Sequence, residues 1–109
     1  MTLVSVIIGS KSDKEKMDSC ITTLDSLGIE SEFNVISAHR TPEKLRMHVT
    51  TAHERGIEVI IAGAGMAAAL PGACASMTRL PIIGVPIAAS HGIAGGLDSL
   101  FAITQMPPG

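Results

Sequence analysis

Hydrophobic residues along this chain fall into short runs that alternate with amphipathic stretches. The runs predict four β-strands, and they lie at residues 3–8, 29–36, 59–61 and 82–85. The third run, Val59-Ile60-Ile61, has no polar alternation, which is typical of a parallel strand covered on both faces. Strands that alternate with helices at short intervals predict an α/β fold, with a parallel sheet between helices in three layers.

Capping residues and helical spacing predict where the helices lie. Apolar residues recur at helical spacing over 17–27, and Ser12 with Glu15 forms a capping-box pattern that predicts a helix start at Ser12. Thr41 and Pro42 fit the N-cap and the first position of a second helix. That helix is expected to end at Gly56, and two further helices are expected over 71–77 and 97–105.

The composition predicts one domain over residues 1–109 with an aliphatic core. Hydrophobic residues make up 46% of the chain but aromatic residues only 2%, so the core must be built from aliphatic side chains. The formal net charge of −2 provides no basic surface for phosphates. Since aromatic side chains for base stacking are also scarce, we expect no nucleic-acid partner.

Charge is concentrated in the first half of the chain. After Glu58 the only charged residues are Arg79 and Asp98, and the uncharged runs 59–78 and 80–97 each have about the length of a membrane span. Their many glycines and prolines, and the lack of an aromatic belt, make membrane insertion unfavourable. We therefore expect this half to be buried by its own helices and by neighbouring subunits, with a membrane hairpin as the alternative.

The cysteines and the N-terminus bear on the compartment. Cys20 and Cys74 fall in separate predicted helices, which indicates neither a metal motif nor a redox pair. We expect both to be small buried side chains in a reducing compartment. The first residues lack a basic leader with a long apolar region, so no secretory signal is expected and the expected location is cytoplasmic.

Candidate chemistry follows the second predicted strand, in the segment Ser37-Ala38-His39-Arg40-Thr41-Pro42. Ligands of open α/β sheets bind beyond the carboxyl ends of the strands, where this segment would lie. Histidine titrates near neutrality and arginine offers a fork of donors that suits phosphate, so His39 and Arg40 predict an acid–base group beside an anion anchor. A solvated turn is the alternative. His48 and His53 are interpreted as surface or interface histidines.

A second candidate segment, Gly9-Ser10-Lys11-Ser12-Asp13, follows the first predicted strand. The free N–H groups of a helix N-terminus can hold phosphate, with help from the Ser10 and Ser12 hydroxyls. Asp13 would repel phosphate but could accept hydrogen bonds from ribose, so a nucleotide fits better than a bare anion. The alternative is that Ser12 and Asp13 only cap a helix, and the segment matches no Walker or dinucleotide glycine pattern.

Six motifs together resemble the PurE family in order and approximate spacing, across essentially the whole chain. They are residues 9–13, 37–42, 62–65, 70–72, 84–86 and the pair 98–100 with 105–107. The resemblance implies a flavodoxin-like fold and a homo-oligomer, typically an octamer, with active sites at subunit contacts. It implies no metal and no organic cofactor. It also implies a small-molecule ribonucleotide substrate.

Class I members of that family are carboxyaminoimidazole ribonucleotide mutases of purine biosynthesis, which move a carboxylate from the exocyclic nitrogen to ring carbon four of the imidazole. The resemblance implies that His39 is the general acid and base. It implies ribonucleotide binding by Ser10, Asp13 and Arg40, with Ser12, Ser37, Ala38, Gly63 and Gly65 as further pocket residues, the glycines in a loop. Arg-Thr-Pro after His39 resembles the mutase class more than the class that carboxylates aminoimidazole ribonucleotide directly.

Three features depart from the family pattern. Met66 and Ala69 stand where most members have glycine and histidine, and a slightly longer loop over 87–97 carries His91, which is a candidate to compensate for Ala69. Relatives also continue beyond Gly109 with a fifth strand and a long helix. A catalytically silent nucleotide-binding module and a direct carboxylase are therefore the alternative functions.

Overall fold

The computed structural model describes residues 1–108 and contains a four-stranded parallel sheet. The strands are β1 (Val4–Ile8), β2 (Ser31–Val35), β3 (Val59–Gly65) and β4 (Ile82–Ile87), in the spatial order β2-β1-β3-β4. The chain passes outward from β1 to β2 and then back across β1 to β3. A sheet of this order has its topological switch point between β1 and β3, where ligands of such folds bind. The predicted parallel α/β fold is confirmed.

Four α-helices connect the strands. They are α1 (Lys14–Ser26), α2 (Pro42–Thr50), α3 (Leu70–Ala75) and α4 (Leu97–Thr104), and short 3₁₀ turns lie at Lys11–Asp13, His53–Arg55 and Ala94–Gly96. The predicted helix start at Ser12 is wrong, because a 3₁₀ turn capped by Ser10 precedes α1. The predicted second helix is also interrupted: α2 ends at Thr50, and the separate turn before Gly56 ends where Gly56 adopts a φ of +90°.

Helices cover the sheet on both faces, as expected for three layers. Val6 and Ile8 of β1 point to one face and pack with Met17 of α1. On the other face, Ile7 packs with side chains of α2 and α3, including Leu45. All of these aliphatic side chains are buried. Burial of such a side chain contributes about 1.5–3 kcal/mol to folding, so the expected aliphatic core accounts for the layered arrangement.

Strand β3 is longer than the hydrophobic run predicts. Residues 62–65 were expected to form a loop, but they pair in register with β4 up to Gly65 opposite Ile87. Small side chains in β3 allow its neighbours to approach closely: a Cβ on Gly63 would lie 2.8 Å from Sδ of Met17. The sequence shows the small residues but not that they continue the strand.

The second half of the chain, which is almost uncharged, forms β3, α3, β4 and α4. Within residues 1–108, no helix is both long enough and apolar enough to cross a membrane. Cys74 is buried in α3, where burial raises the pKa of its thiol to about 11, and Cys20 is partly buried in α1. Neither cysteine forms a disulfide.

Candidate active site

A cavity of about 640 Å³ lies at the carboxyl ends of the strands, a volume typical of small-molecule sites. The loops after β1 and β2 form one side, which we call the polar wall. The end of β3 and the start of α3 form the opposite side. Eight of the predicted site residues line the cavity: Ser10, Ser12, Asp13, Ser37, Ala38, His39, Arg40 and Gly65. The two candidate segments, which follow β1 and β2, therefore meet at one cavity beyond the carboxyl ends of the strands.

The structure does not bring Gly63 to this cavity. Gly63 lies two residues before the end of β3, and its missing side chain leaves space for Met17 and Ile87 in the core beside α1. The prediction that Gly63 lines the pocket as part of a loop is corrected, because the strand continues to Gly65. Gly65 sits at the rim, where a Cβ would lie 2.9 Å from the Cβ of Ala89.

Ser10 and Ser12 shape the segment after β1. The Ser10 Oγ accepts a hydrogen bond from the Ser12 N–H at 3.4 Å, and the two hydroxyls lie 3.0 Å apart. This Ser10–Ser12 pairing caps the 3₁₀ turn, so Ser12 does not take part in the predicted capping box with Glu15. The turn leaves two hydroxyls at the cavity edge as hydrogen-bonding groups.

Asp13 follows directly and faces the same cavity. Burial raises the pKa of the Asp13 carboxyl, while Lys16 and a backbone hydrogen bond from Ser10 act in the opposite direction. Lys16 also lines the cavity, and its Nζ donates to the Ala88 carbonyl oxygen across the sheet end. The arrangement places one acidic and one basic side chain side by side at the polar wall.

The segment after β2 is held together by Ser37. The Ser37 Oγ accepts hydrogen bonds from the backbone N–H of Arg40 at 3.0 Å and from its Nε at 3.4 Å. Thr41 is the N-cap residue of α2, as predicted, but its Oγ1 bonds to the backbone of Ser37 and makes no capping hydrogen bond to the helix. The result is a closed turn that fixes His39 at its surface.

Arg40 joins the two segments of the polar wall. Its Nη2 donates to the Gly9 carbonyl oxygen at 2.8 Å, so the guanidinium bridges the ends of β1 and β2. Arginine carries five N–H donors, and the remaining ones face the cavity and solvent. Next to it, the exposed His39 imidazole makes no side-chain hydrogen bond within residues 1–108. An imidazole beside a fixed guanidinium can exchange protons with a bound anionic ligand.

The side of the cavity opposite the polar wall is mostly aliphatic. We call Ala64 and residues 66–70 the alanine wall. Met66 adopts a φ of +55°, a left-handed backbone conformation that residues other than glycine rarely take. Met66 stands where the family pattern has a glycine. Beyond this wall, Ala89, Ser90 and His91 from the segment after β4 complete the lining.

Reasoning from the sequence missed Lys16 and Ser90 as lining residues. Lys16 lies three residues after Asp13, one helical turn further along, and that spacing was an available signal. Ser90 had no signal beyond its place in a glycine-rich segment. The described residues include no group of three or more His, Cys, Asp or Glu side chains that could hold a metal ion.

A second polar cluster lies at the opposite, amino-terminal end of the sheet. The His48 Nε2 is 2.8 Å from the Oγ of the fully buried Ser5 and 3.4 Å from Oε1 of Glu32. Arg55 donates to both Glu32 oxygens and to the His48 carbonyl oxygen. His48 is only partly exposed and has a buried hydroxyl of β1 beside it, so of the two predicted settings, surface or interface, a freely exposed surface position does not fit; His53 is exposed.

The environment of His48 disfavours its charged form. Burial lowers the pKa of the His48 imidazole, and the nearby charges of Arg55 and Lys44 lower it further, while Glu32 acts in the opposite direction. We call Ser5, Glu32, His48 and Arg55 the structural cluster, since its members bond to one another.

Comparison with known proteins agrees with the observed fold. The family model described as AIR carboxylase matches residues 3–109. The crystal structure of Treponema denticola PurE superposes with a TM-score of 0.86 at 26% identity, covering 100% of this chain and 68% of that one. The flavodoxin-like fold is thereby confirmed.

Curated relatives are similar at higher identity. The N5-carboxyaminoimidazole ribonucleotide mutase of Aquifex aeolicus is 56% identical over 98% of this chain, and that of Pyrococcus abyssi is 53% identical over 100%. The chloroplastic phosphoribosylaminoimidazole carboxylase of Vigna aconitifolia is 51% identical over 97% of this chain, which covers 19% of that protein. The chain spans 63% of the Aquifex relative and 62% of the Pyrococcus relative, less than two thirds of either. With a family model that covers residues 3–109, this chain belongs to the AIR carboxylase, or PurE, family.

Proposed function

We propose that this chain acts as an N5-carboxyaminoimidazole ribonucleotide mutase in purine biosynthesis. The observation that carries the proposal is the position of His39, whose imidazole faces a ligand-sized cavity beside the guanidinium of Arg40. The names of the Aquifex and Pyrococcus relatives support the same activity. The substrate would be a small anionic ribonucleotide, which the charges of the polar wall suit.

The polar wall would hold the ribonucleotide. Arg40 retains donors that suit a phosphate, and the Ser10 and Ser12 hydroxyls can add hydrogen bonds. Asp13 would accept hydrogen bonds from the ribose hydroxyls when its carboxyl is ionised. The base would then extend across the cavity towards the alanine wall, past the His39 imidazole.

His39 would carry both proton transfers. The N–C bond to the carboxylate breaks and releases carbon dioxide as the imidazolium of His39 protonates the exocyclic nitrogen. Ring carbon four then attacks the carbon dioxide, and its proton returns to the imidazole, so the group is regenerated. The aliphatic side chains of the alanine wall exclude water and would retain the carbon dioxide. One imidazole can serve both steps, first as the general acid and then as the general base.

The test is a direct assay of the purified chain with carboxyaminoimidazole ribonucleotide. We expect consumption of the substrate, and we expect His39→Asn to lower kcat by about 100- to 10,000-fold while the nucleotide still binds. His53→Asn, at an exposed histidine of the 3₁₀ turn after α2, is the matched control and should leave kcat unchanged. A variant H39N with the unmodified kcat would overturn the role of His39.

Two alternatives give different results in the same assay. A silent nucleotide-binding module would bind the nucleotide without consuming it. A direct carboxylase, the activity in the name of the Vigna relative, would consume aminoimidazole ribonucleotide with carbon dioxide or bicarbonate and leave the carboxyamino compound unchanged. The mutase is rejected if either pattern is found.

The proposal includes a homo-oligomer in the cytoplasm. Large apolar side chains are exposed around β4 and α4, including Ile83, Leu97 and Phe101, and a second copy of the chain could cover them. The two free cysteines agree with a reducing compartment. Sizing by light scattering should give an oligomer, for which the family pattern is an octamer, and a monomer at micromolar concentration would contradict this part of the proposal.

A further inference from the structure

The segment after β4 forms a tight turn whose central residues face the cavity. The N–H of Gly92 donates to the Ala89 carbonyl oxygen at 2.9 Å, which closes a four-residue turn with Ser90 and His91 in the middle. Both side chains line the same cavity as His39, and both residues are exposed. The turn therefore presents one hydroxyl and one imidazole to the ligand space.

This turn is fastened to the rest of the protein at both ends. Before it, Lys16 of α1 donates to the Ala88 carbonyl oxygen, and the buried Ser99 Oγ donates to the Ile87 carbonyl oxygen at 2.9 Å. After it, the Asp98 Oδ2 accepts from the Ile93 N–H at 2.9 Å. These bonds tie both ends of the turn to α1 and α4.

There is no space for a side chain at Gly92 in this turn. A Cβ on Gly92 would lie 2.9 Å from the Asp98 Oδ2 and 3.1 Å from the Ala89 carbonyl oxygen. Asp98 simultaneously accepts from the Ser99 N–H at 2.8 Å, so the start of α4 is tied to the same carboxylate. The position of His91 thus depends on α1 and α4, two elements of the rigid layers.

The surroundings of His91 make it distinctive within the cavity. The adjacent alanine wall offers aliphatic side chains, and the segment after β4 adds the polar side chains of Ser90 and His91, with the Lys16 ammonium nearby at the Ala88 carbonyl oxygen. A charged group of a ligand that reached this side would be costly to bury without a hydrogen-bond donor. The His91 imidazole and the Ser90 hydroxyl line the cavity as donors there.

We propose that His91 is a substrate-binding residue that recognises the carboxylate on the heterocycle of the nucleotide. The proposal rests on the proposed function, in which the polar wall takes the phosphate and ribose and the base points to the far side of the cavity. The carboxylate accepts a hydrogen bond from the His91 imidazole, with the Ser90 hydroxyl beside it. His91 thereby distinguishes a carboxylated imidazole nucleotide from the same nucleotide without the carboxylate.

Calorimetric binding with two nucleotides tests this inference. The probes are 4-carboxy-5-aminoimidazole ribonucleotide and aminoimidazole ribonucleotide, which differ only by the carboxylate. His91→Ala should weaken binding of the carboxylated nucleotide by about 10-fold or more, the usual effect of losing a hydrogen bond to a charged group, and change binding of the other by less than about two-fold. His91→Gln, which keeps a donor, should recover part of the difference.

The controls separate this inference from the proposed function. His53→Ala should alter neither affinity, and an unchanged melting temperature of H91A should show that the fold is intact. Equal weakening for both nucleotides, or none for either, overturns the role of His91 while turnover by the unmodified chain still supports the mutase. If the unmodified chain binds neither nucleotide, both proposals are overturned together.

Discussion

The two ends of the sheet carry the same kinds of side chain but differ in how those side chains are hydrogen-bonded. At the amino-terminal end, the structural cluster of Ser5, Glu32, His48 and Arg55 is a closed set of hydrogen bonds and ion pairs. At the carboxyl-terminal end, the polar wall also contains serine, histidine, arginine and an acidic residue. There the serine and arginine bond to the backbone of the wall, but the His39 imidazole faces the cavity and has no side-chain hydrogen bond among the residues that the structure describes.

This difference shows that hydrogen-bond partners, not residue types, separate a structural cluster from a candidate active site. The His48 imidazole is half-buried and engaged with a buried hydroxyl, so its removal should act on stability. The His39 imidazole is exposed and unengaged, so its removal should act on chemistry. Matched substitutions at the two ends test the comparison.

The two arginines should give the largest contrast. Arg40→Ala removes the guanidinium of the polar wall and should weaken nucleotide binding by about 10- to 100-fold. Arg55→Ala breaks a partly exposed pair with Glu32, so it should leave binding unchanged and lower stability by about 1 kcal/mol at most. Calorimetry and thermal unfolding measure the two effects. Arg40→Lys, which keeps the charge without the fork, should bind at an intermediate level. Equal effects on binding would abolish the distinction between the ends.

Removing the imidazole of the structural cluster should give the next largest effect. His48→Ala leaves the fully buried Ser5 hydroxyl without its partner and should lower the free energy of unfolding by about 1–3 kcal/mol. Because the cavity lies at the other end of the sheet, kcat should not change. Denaturant unfolding and the turnover assay check the two statements.

The matched control replaces both partners. Ser5→Ala with His48→Leu removes the hydroxyl together with the imidazole, so no buried polar group is left unpaired and most of the lost stability should return. If the double variant is no more stable than H48A, the bond between Ser5 and His48 is not the source of the effect.

The position of the candidate site is predictable from the sequence because it depends only on which segments follow the predicted strands. Carboxyl ends of parallel strands share one edge, so the segments that follow β1 and β2 had to meet, and Ser10 and Arg40 line one cavity as expected. What sequence reasoning missed depends on contacts between distant parts of the chain. Lys16 reaches the Ala88 carbonyl oxygen, and His48 meets Ser5 through the packing of α2 on β1. The spacing from Asp13 indicates that Lys16 faces the cavity but not that it reaches Ala88, and nothing local in the sequence indicates that His48 meets Ser5.

The error at Gly63 has a similar origin. Glycine and alanine are typical of loops, and nothing local indicates that pairing with β4 continues through residues 62–65. Strand length is decided by the neighbouring strand, so a glycine expected at the pocket lies in the core against Met17. Gly65, at the strand end, does line the cavity.

A smaller effect on activity is expected when the histidine is moved between positions 91 and 69 of the cavity. Ala69 and His91 both line the cavity, and the hypothesis that His91 compensates for Ala69 can be tested by moving the histidine from one position to the other. Ala69→His in the background of His91→Ala should restore activity several-fold relative to H91A alone. Turnover at saturating and limiting substrate measures the recovery, and its absence would end the idea that the two positions compensate for each other.

The smallest expected effect is the pH dependence of stability, which comes from His48. Its pKa lies below the ordinary 6.5 in the folded chain, so the unfolded chain takes up this proton first as the pH falls. The free energy of unfolding should therefore decrease below pH 6.5, by at most about 1.4 kcal/mol per pH unit. Asp13 contributes with the opposite sign at lower pH, since its raised pKa lets the folded chain bind that proton first.

Comparing variants isolates the histidine from the acidic residues. His48→Gln keeps a neutral hydrogen-bonding group beside Ser5 and should flatten the curve as the pH falls below 6.5, the ordinary value from which the His48 pKa is lowered. Asp13→Asn should leave the contribution of His48 in place and remove only the opposite contribution of the Asp13 carboxyl, whose pKa is raised. Denaturant unfolding across the range measures both variants. If H48Q follows the slope of the unmodified chain, the structural cluster does not hold His48 in its neutral form.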